Sequence, residues 1–228
     1  MSNRDKFQMV IGQIKPLSAA HVDYDPGAWQ KLDDTWDNNF TQAGWLNYRR
    51  NIVEWVLSIQ DDFEEMLDTG CHIGHFIEAL RQRGYKKRYQ GIDITPQFIE
   101  RARDRMPDER FDIGDVRHLD FPDKSFDLVM CVGVLMHLPD IKESLAHVFR
   151  IARKYVLLST YGSSRVTYSR HDHQNGFLNY FYSKASLLEE VPPNWELIEY
   201  KEFERPDRKK DKLIFQFLLK NRDGGQVK

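Results

Sequence analysis

Cysteine is scarce: Cys71 and Cys131 are the only two in 228 residues. That excludes a disulfide-stapled scaffold and fits a reducing compartment, so a cytoplasmic protein is expected. No apolar run approaches the roughly 20 residues needed to cross a bilayer, and no membrane partner is expected. The opening stretch, Met1 to Val10, has no apolar core of the kind a signal peptide needs. An excess of one charge is missing too. The formal net charge is −2, which supplies no global basic field for a nucleic-acid backbone or an anionic membrane. Internal repeats and low-complexity tracts are also absent.

What remains is an ordinary globular composition, 41% hydrophobic and 30% charged. The length suits one α/β domain and is short for two. The first forty residues are irregular, broken by Pro16, Pro26 and Gly27, with Trp29, Trp36 and Phe40 scattered through them. Trp45, Tyr48, Ile52, Val56 and Ile59 then recur at helical spacing and predict an amphipathic helix over 41–59. From Glu64 onward, strand-like runs alternate with helical ones. Strands are expected at 65–68, 88–93, 110–113, 126–132 and 155–160. Helices are expected at 73–83, after Thr95-Pro96 as N-cap and first helical residue, and from about Asp140, where Glu143 has capping-box spacing. Such alternation implies a parallel sheet. Residues 161–182 are polar and aromatic without a period. A helix at 183–191 and two strands, 195–203 and 213–219, follow; the strands are joined by a charged turn near Pro206, Asp207 and Arg208 and are antiparallel neighbours. The basic run Lys209-Lys210-Asp211-Lys212 reads as a solvated turn that blunts the sheet edge. This divides the chain into an N-terminal arm and helical lid, 1–60, and a main domain, 61–228, with an insertion at 161–182.

Ligands of doubly wound sheets bind outside the carboxyl ends of the strands. Three acids, Asp68, Asp93 and Asp115, fall at such ends. The first strand runs into Leu67-Asp68-Thr69-Gly70-Cys71-His72-Ile73-Gly74. Gly70 can take a tight turn, and Gly74 lets the next helix approach the strand or a ligand closely. Asp93, twenty-five residues after Asp68, can accept both hydrogen bonds from a ribose diol. Asp115 is placed to accept from an adenine amino group. A dinucleotide fingerprint would need glycine at 72 and 75, where the chain has His72 and His75.

Together with Gly91-Ile92-Asp93, Gly114-Asp115-Val116, the apolar run Phe126 to Cys131 and the segment Val132 to Leu138, this ordered set resembles the class I S-adenosylmethionine-dependent methyltransferases. The likeness is to the type 11-like branch, which acts largely on small molecules, and covers roughly 64–160. It implies a Rossmann-like three-layer αβα sandwich: an α/β fold with a mostly parallel seven-stranded sheet and one antiparallel strand near the edge. It also implies S-adenosyl-L-methionine as cofactor. Asp68, Gly70, Cys71 and Gly74 would line its methionine part. Asp93, with Ile94 beside it, would bind the ribose, and Asp115 and the Val116 backbone the adenine. Cys131 and Val132 would lie near the amino-acid moiety and the incoming nucleophile. His72 stands where the family has its central loop glycine, so its side chain must either crowd the cofactor or turn away.

A sulfonium methyl group is already activated; the protein's task is to align a nucleophile and exclude water. A hydroxyl acceptor also benefits from a base. His137 is the candidate by position, its alternative reading being a helix-entry residue bonded to backbone. His171 and His173, flanking Asp172, are further candidates, as a base or as part of a metal site; two histidines without a clear third ligand more often mean a solvated loop, and no metal is expected. Trp36, Trp45, Tyr48, Tyr161, Phe177, Tyr180 and Tyr182 suit either an aromatic acceptor pocket or plain packing. Arg49 and Arg50 can reach a carboxylate or phosphate, or stand on the surface.

The expected activity is methyl transfer to a small-molecule substrate by a monomer or homodimer. The fourth strand lacks the Asn/Asp-Pro-Pro-aromatic signature of amino-directed nucleic-acid enzymes, which weighs against a nucleic acid or protein acceptor. A non-catalytic cofactor-binding scaffold is the third reading, resting on His72.

Overall fold

Short apolar runs alternating with amphipathic helices build a parallel sheet covered on both faces. The computed structural model, which describes residues 43–164, 167–171, 178–204 and 213–224, has that architecture. Helix α1 (Ala43–Ile59) leads through a 3-10 turn, Gln60–Asp62, to β1 (Glu65–Thr69), α2 (His75–Gln82), β2 (Arg88–Asp93), α3 (Pro96–Arg105) and β3 (Arg110–Ile113). Next come β4 (Phe126–Val132), a 3-10 turn at Leu135–His137, α4 (Lys142–Ile151) and β5 (Ala152–Ser163). The chain continues with β6 (Tyr168–His171), β7 (Leu178–Ser183), α5 (Lys184–Glu189), β8 (Trp195–Glu204) and β9 (Leu213–Asn221).

The main sheet runs β3-β2-β1-β4-β5-β9-β8. Neighbours from β3 to β5 are parallel, and β9 lies antiparallel to both β5 and β8. The expected seven-stranded sheet with one reversed strand next to its edge is therefore present. Beyond it, β6 and β7 form an antiparallel ribbon that joins only the end of β5, where Gly162 and Ser163 pair in parallel with Tyr182 and Ser183.

Side chains alternate across a strand, so Met66 and Leu67 enter opposite layers. Met66, Leu128, Met130 and Leu157 pack with Ile52 and Val56 of α1, Ile77 and Leu80 of α2, and Ile99 and Ala102 of α3. Leu67, Val129, Val156 and Leu158 face Leu145, Val148 and Ile151 of α4 and Leu187 of α5. All seven residues of β4 are buried, as a central strand requires. Each large apolar side chain so enclosed contributes about 1.5–3 kcal/mol of transfer free energy.

Helix α1 is bound to the sheet by polar groups as well. Asn51 Nδ2 donates to Gln216 Oε1 at 2.7 Å, Gln216 Nε2 donates to the Tyr48 carbonyl at 2.8 Å, and Lys201 Nζ donates to Asn51 Oδ1. Gln216 pairs with Ser159, late in β5. This fixes the Tyr48 end of α1 near the carboxyl ends of the parallel strands.

Local differences from the sequence reading have local causes. Helix α2 starts at His75, because Gly74 sits at φ +82° and cannot belong to a right-handed helix. Helix α4 starts at Lys142 without the capping box: Asp140 Oδ1 accepts the Lys142 N–H at 2.9 Å, closing a turn first. Part of the aperiodic insertion is strand. Tyr180, Phe181 and Tyr182 are all buried, so both faces of β7 are covered and no polar alternation marks it. The expected turn at 206–208 and the basic run 209–212 lie outside the described residues. Among the described residues no helix is long and apolar enough to cross a membrane.

Candidate active site

Parallel pairing brings the ends of β1, β2, β3 and β4 to one rim. Asp68 stands level with Gly91 and Met130, Thr69 with Ile92 and Cys131, and Asp93 with Ile113. Past Thr69 the chain folds back across β2, and the Gly70 and Cys71 N–H groups both donate to the Ile92 carbonyl, at 2.7 and 2.9 Å. Gly70 has φ +80°, and a Cβ there would lie 2.2 Å from Val134 Cγ2. Only glycine permits both that dihedral and the close approach of the segment after β4. At Gly74 a Cβ would come within 3.0 Å of the Phe111 ring, so the close approach expected there is made to an aromatic side chain of β3.

His72 also adopts the left-handed conformation, at φ +54°, which costs a side-chain-bearing residue about 1–2 kcal/mol. Its ring lies 4.0 Å from that of Phe98 in α3 and is stacked at 5.7 Å on His75 in α2.

Asp68 is 1% exposed. Tyr89 Oη donates to its Oδ2 at 3.3 Å, and its Oδ1 has no hydrogen-bond partner among the described residues. Burial pushes its pKa up to about 7; the Tyr89 hydrogen bond opposes the rise and the charge of Asp93 adds to it. Asp93 receives one backbone N–H on each oxygen, from His72 on Oδ2 at 3.0 Å and from Thr95 on Oδ1 at 2.9 Å. Burial raises its pKa against those bonds. Ile94 follows, half-buried.

Asp115 is engaged by Arg117: its backbone N–H donates to Oδ1 at 2.9 Å, and its Nε and Nη2 donate to Oδ2 at 3.0 and 2.6 Å. Burial pushes the carboxyl pKa up, but these bonds and the adjacent guanidinium outweigh it and hold the pKa low. Val116 turns inward and is buried.

The two cysteines do not present their thiols to the rim. The Cys71 side chain fills the space left by Gly91, where a Cβ would be 2.8 Å from Sγ. Cys131 is fully buried in the core layer on the other sheet face. Burial raises both thiol pKa values, that of Cys131 to about 12. Both cysteines are free, and only their backbones border the site.

At the end of β4, Val132 is followed by Gly133 at φ +74°, where a Cβ would meet nothing within 4 Å. His137 lies one short turn further on, its N–H bonded to the Val134 carbonyl at 2.9 Å. Burial pulls its imidazole pKa down to about 3, so the ring is neutral at physiological pH. Its neighbour Met136 is buried with Tyr161, Phe181 and Ile214, and Tyr48 and Phe203 pack against that cluster. The Tyr161 and Phe181 rings stack at 5.3 Å and 20°. Tyr180 and Tyr182 turn instead to the α4 side, and Tyr182 Oη donates to the Leu138 carbonyl. Arg49 is half-buried beside Tyr48, while Arg50 is exposed.

His171 is paired with Leu178 at the open end of the ribbon, about 17 Å of strand from the Ser163–Ser183 pairing. His173, Trp36 and Phe177, with the side chain of Trp45, lie outside the described residues. Tyr89, Val134, Arg117 and the N–H groups of His72 and Thr95 were not read from the sequence as parts of the site. Arg117, two residues after Asp115, was a visible signal; Tyr89 meets Asp68 only through the parallel register. Among the described residues no group of three or more His, Cys, Asp or Glu side chains could hold a metal ion.

Comparison with known proteins adds a family. Residues 67–158 match the methyltransferase domain family. The chain is similar to malonyl-[acyl-carrier protein] O-methyltransferase of Serratia marcescens, 31% identical over 49% of this chain and 45% of that protein. It is likewise similar to trans-aconitate 2-methyltransferase of Escherichia coli O1:K1, 34% identical over 43% of this chain and 39% of that protein. The chain thus spans less than half the length of these relatives. Among solved structures, Burkholderia thailandensis 1,6-didemethyltoxoflavin-N1-methyltransferase, with 1,6-didemethyltoxoflavin and S-adenosylhomocysteine bound, superposes with TM-score 0.69 over 92% of this chain and 93% of that one, at 18% identity. The family match falls on the strands that carry or lead to Asp68, Asp93 and Asp115, so residues 67–158 form a methyltransferase domain.

Proposed function

We propose that this protein transfers the methyl group of S-adenosyl-L-methionine to a small-molecule acceptor. One observation carries the reading. Two buried acids, Asp68 and Asp93, interact electrostatically at the rim, and Asp68 keeps a buried oxygen that no described residue satisfies. A buried acceptor without a donor is costly, and a cationic, hydroxyl-bearing ligand offers what it lacks. The cofactor therefore fits this residue set: Asp68 toward the ammonium and sulfonium end, Asp93 toward the ribose, and Val116 toward the adenine, the Asp115 carboxylate being taken up by Arg117. Gly70, Gly74 and the backbones of Cys71, Ile94, Cys131 and Val132 border the same space.

Bound S-adenosylmethionine supplies an activated methyl group. The chain supplies orientation and dryness: Val134 closes over Gly70, and the Met136–Tyr161–Phe181 cluster shields the end of β4 from water. Neutral His137 is the proton acceptor for a hydroxyl acceptor; His171 and His173 are secondary candidates. The His72 ring is held by Phe98, which supports cofactor binding over a non-catalytic scaffold. We assign residues 1–60 to an arm and lid and 61–228 to the methyltransferase domain, in a cytoplasmic monomer or homodimer. The relatives named for malonyl-[acyl-carrier protein] and trans-aconitate support an acceptor that is not a nucleic acid.

Calorimetry with S-adenosylmethionine and S-adenosylhomocysteine tests this reading. Binding is expected, weakened about tenfold or more in Asp93→Asn through lost charge-assisted hydrogen bonds. Absence of heat with both ligands refutes it.

A further inference from the structure

Asp68 and Asp93 share the rim but are held in different ways. Asp93 is fixed by backbone, with the His72 and Thr95 N–H groups on its two oxygens. Among the described residues one donor reaches the Asp68 carboxylate, the Tyr89 hydroxyl, 3.3 Å from Oδ2. The other oxygen, Oδ1, has no hydrogen-bond partner there.

Strand register explains how that hydroxyl arrives. Tyr89 pairs with Met66, and Gly91 pairs with Asp68. Alternate residues of a strand share a face, so Tyr89 and Gly91 lie on one face of β2, about 7 Å apart along the strand. The tyrosine ring leans along the strand and carries its hydroxyl over Gly91: a Cβ there would lie 2.7 Å from Tyr89 Oη. Glycine at 91 therefore leaves the space in which Tyr89 meets Asp68. Phe111 of β3 braces the ring edge-on, with centroids 5.8 Å apart and planes at 70°. Tyr89 and Asp68 are both buried, and burial holds the phenol pKa well above its ordinary value, so the hydroxyl keeps its proton to donate.

The other titratable groups that act on Asp68 are Asp93, whose charge opposes its ionisation, and the Cys71 and Cys131 thiols, which burial keeps protonated. None of these brings a positive charge. The Tyr89 bond favours the ionised carboxylate and fixes Oδ2, which leaves Oδ1 for a cationic ligand group.

Resting on the methyltransferase reading above, we infer that Tyr89 is a positioning residue, whose hydroxyl holds the Asp68 carboxylate in place to receive the ammonium group of the cofactor.

The test is calorimetry on the full chain between pH 6 and about pH 8.5 with two probes, S-adenosylhomocysteine and its deaminated analogue, which keeps the adenosine and the carboxylate but lacks the ammonium. The readout is the ratio of the two affinities. In the wild type this ratio should rise about tenfold as pH increases, with a midpoint near the Asp68 pKa of about 7. Tyr89→Phe should move the midpoint up by about one pH unit and lower the ratio at pH 7 about fivefold, with recovery toward the alkaline end. Tyr89→3-fluorotyrosine, a stronger donor of nearly the same shape, should move the midpoint down. In an Asp68→Asn background the ratio should ignore pH and Tyr89→Phe alike. If Tyr89→Phe fails to fold, the fluorinated variant decides alone. A Tyr89→Phe ratio unchanged at every pH, an equal loss for both probes, a loss that does not vary with pH, or a midpoint unmoved by fluorination each overturns the inference. If S-adenosylhomocysteine does not bind the wild type, the methyltransferase reading fails and this inference falls with it; binding with a ratio indifferent to Tyr89 sinks this inference alone.

Discussion

Replacing Asp68 with Asn should stabilise the protein at alkaline pH and not at acid pH. In the folded chain the carboxyl is buried, and its pKa rises from 3.8 to about 7. A raised acid binds its proton more tightly folded than unfolded. Its favourable contribution is complete below the unfolded pKa and is lost as pH rises through the folded one, so the window is about pH 4–7. Three pKa units correspond to about 4 kcal/mol, the cost of holding a buried charge above that window. Asn has the same shape and keeps an oxygen for the Tyr89 hydroxyl, but brings two N–H donors into a buried place, at about 1–3 kcal/mol. The net expectation at pH 8 is a gain of about 1–3 kcal/mol, with a comparable loss near pH 4. Urea denaturation followed by tryptophan fluorescence reads this directly, because Trp55 and Trp195 are both buried. His137 acts with the opposite sign: its lowered pKa favours the unfolded state as pH falls below 6.5. The quantity to compare is therefore the difference between wild type and variant at each pH, in which His137 cancels. A difference that is the same at pH 4 and pH 8 would show that Asp68 is not a buried, proton-holding acid, and the argument for its role would go with it.

Further outcomes follow from the same geometry. Gly70→Ala should cost about 2–4 kcal/mol, combining a left-handed dihedral with overpacking against Val134; in a double-mutant cycle Val134→Ala should recover the overpacking part only, and full recovery would mean that the dihedral is unstrained. His72→Gly should change stability by no more than about 1 kcal/mol, since relief of backbone strain offsets the lost ring contact with Phe98, whereas the β-branched His72→Val should cost clearly more; equal effects in thermal melts would contradict the left-handed assignment. If His137 is the base, its pKa of about 3 means that no acid limb near pH 6.5 should appear in the rate profile, and His137→Gln should lower kcat while leaving S-adenosylhomocysteine affinity unchanged by calorimetry. Lys201→Met should loosen α1 through Asn51 and speed amide exchange in that helix more than in β4; uniform protection would show that the network does not hold the helix.

Period and punctuation alone carried much of this fold. The apolar run 126–132 reads as a strand covered on both faces, and Thr95-Pro96 reads as a helix entry, because these signals depend on residues adjacent in the chain. The acids at 68, 93 and 115 were legible for the same reason: a repeated strand–turn–helix unit puts equivalent positions at equivalent ends. β7 was not legible, since burial on both faces erases alternation, and the capping box at Asp140 gave way to a shorter-range hydrogen bond. Only tertiary structure decided which atoms are taken and which are left. It placed the Cys71 and Cys131 thiols in opposite core layers, set Tyr89 on Asp68, occupied Asp115 with Arg117, turned His72 onto Phe98 and separated half-buried Arg49 from exposed Arg50. Those outcomes depend on the register between strands and on helix packing across the sheet, contacts between residues far apart in the chain that no local pattern encodes.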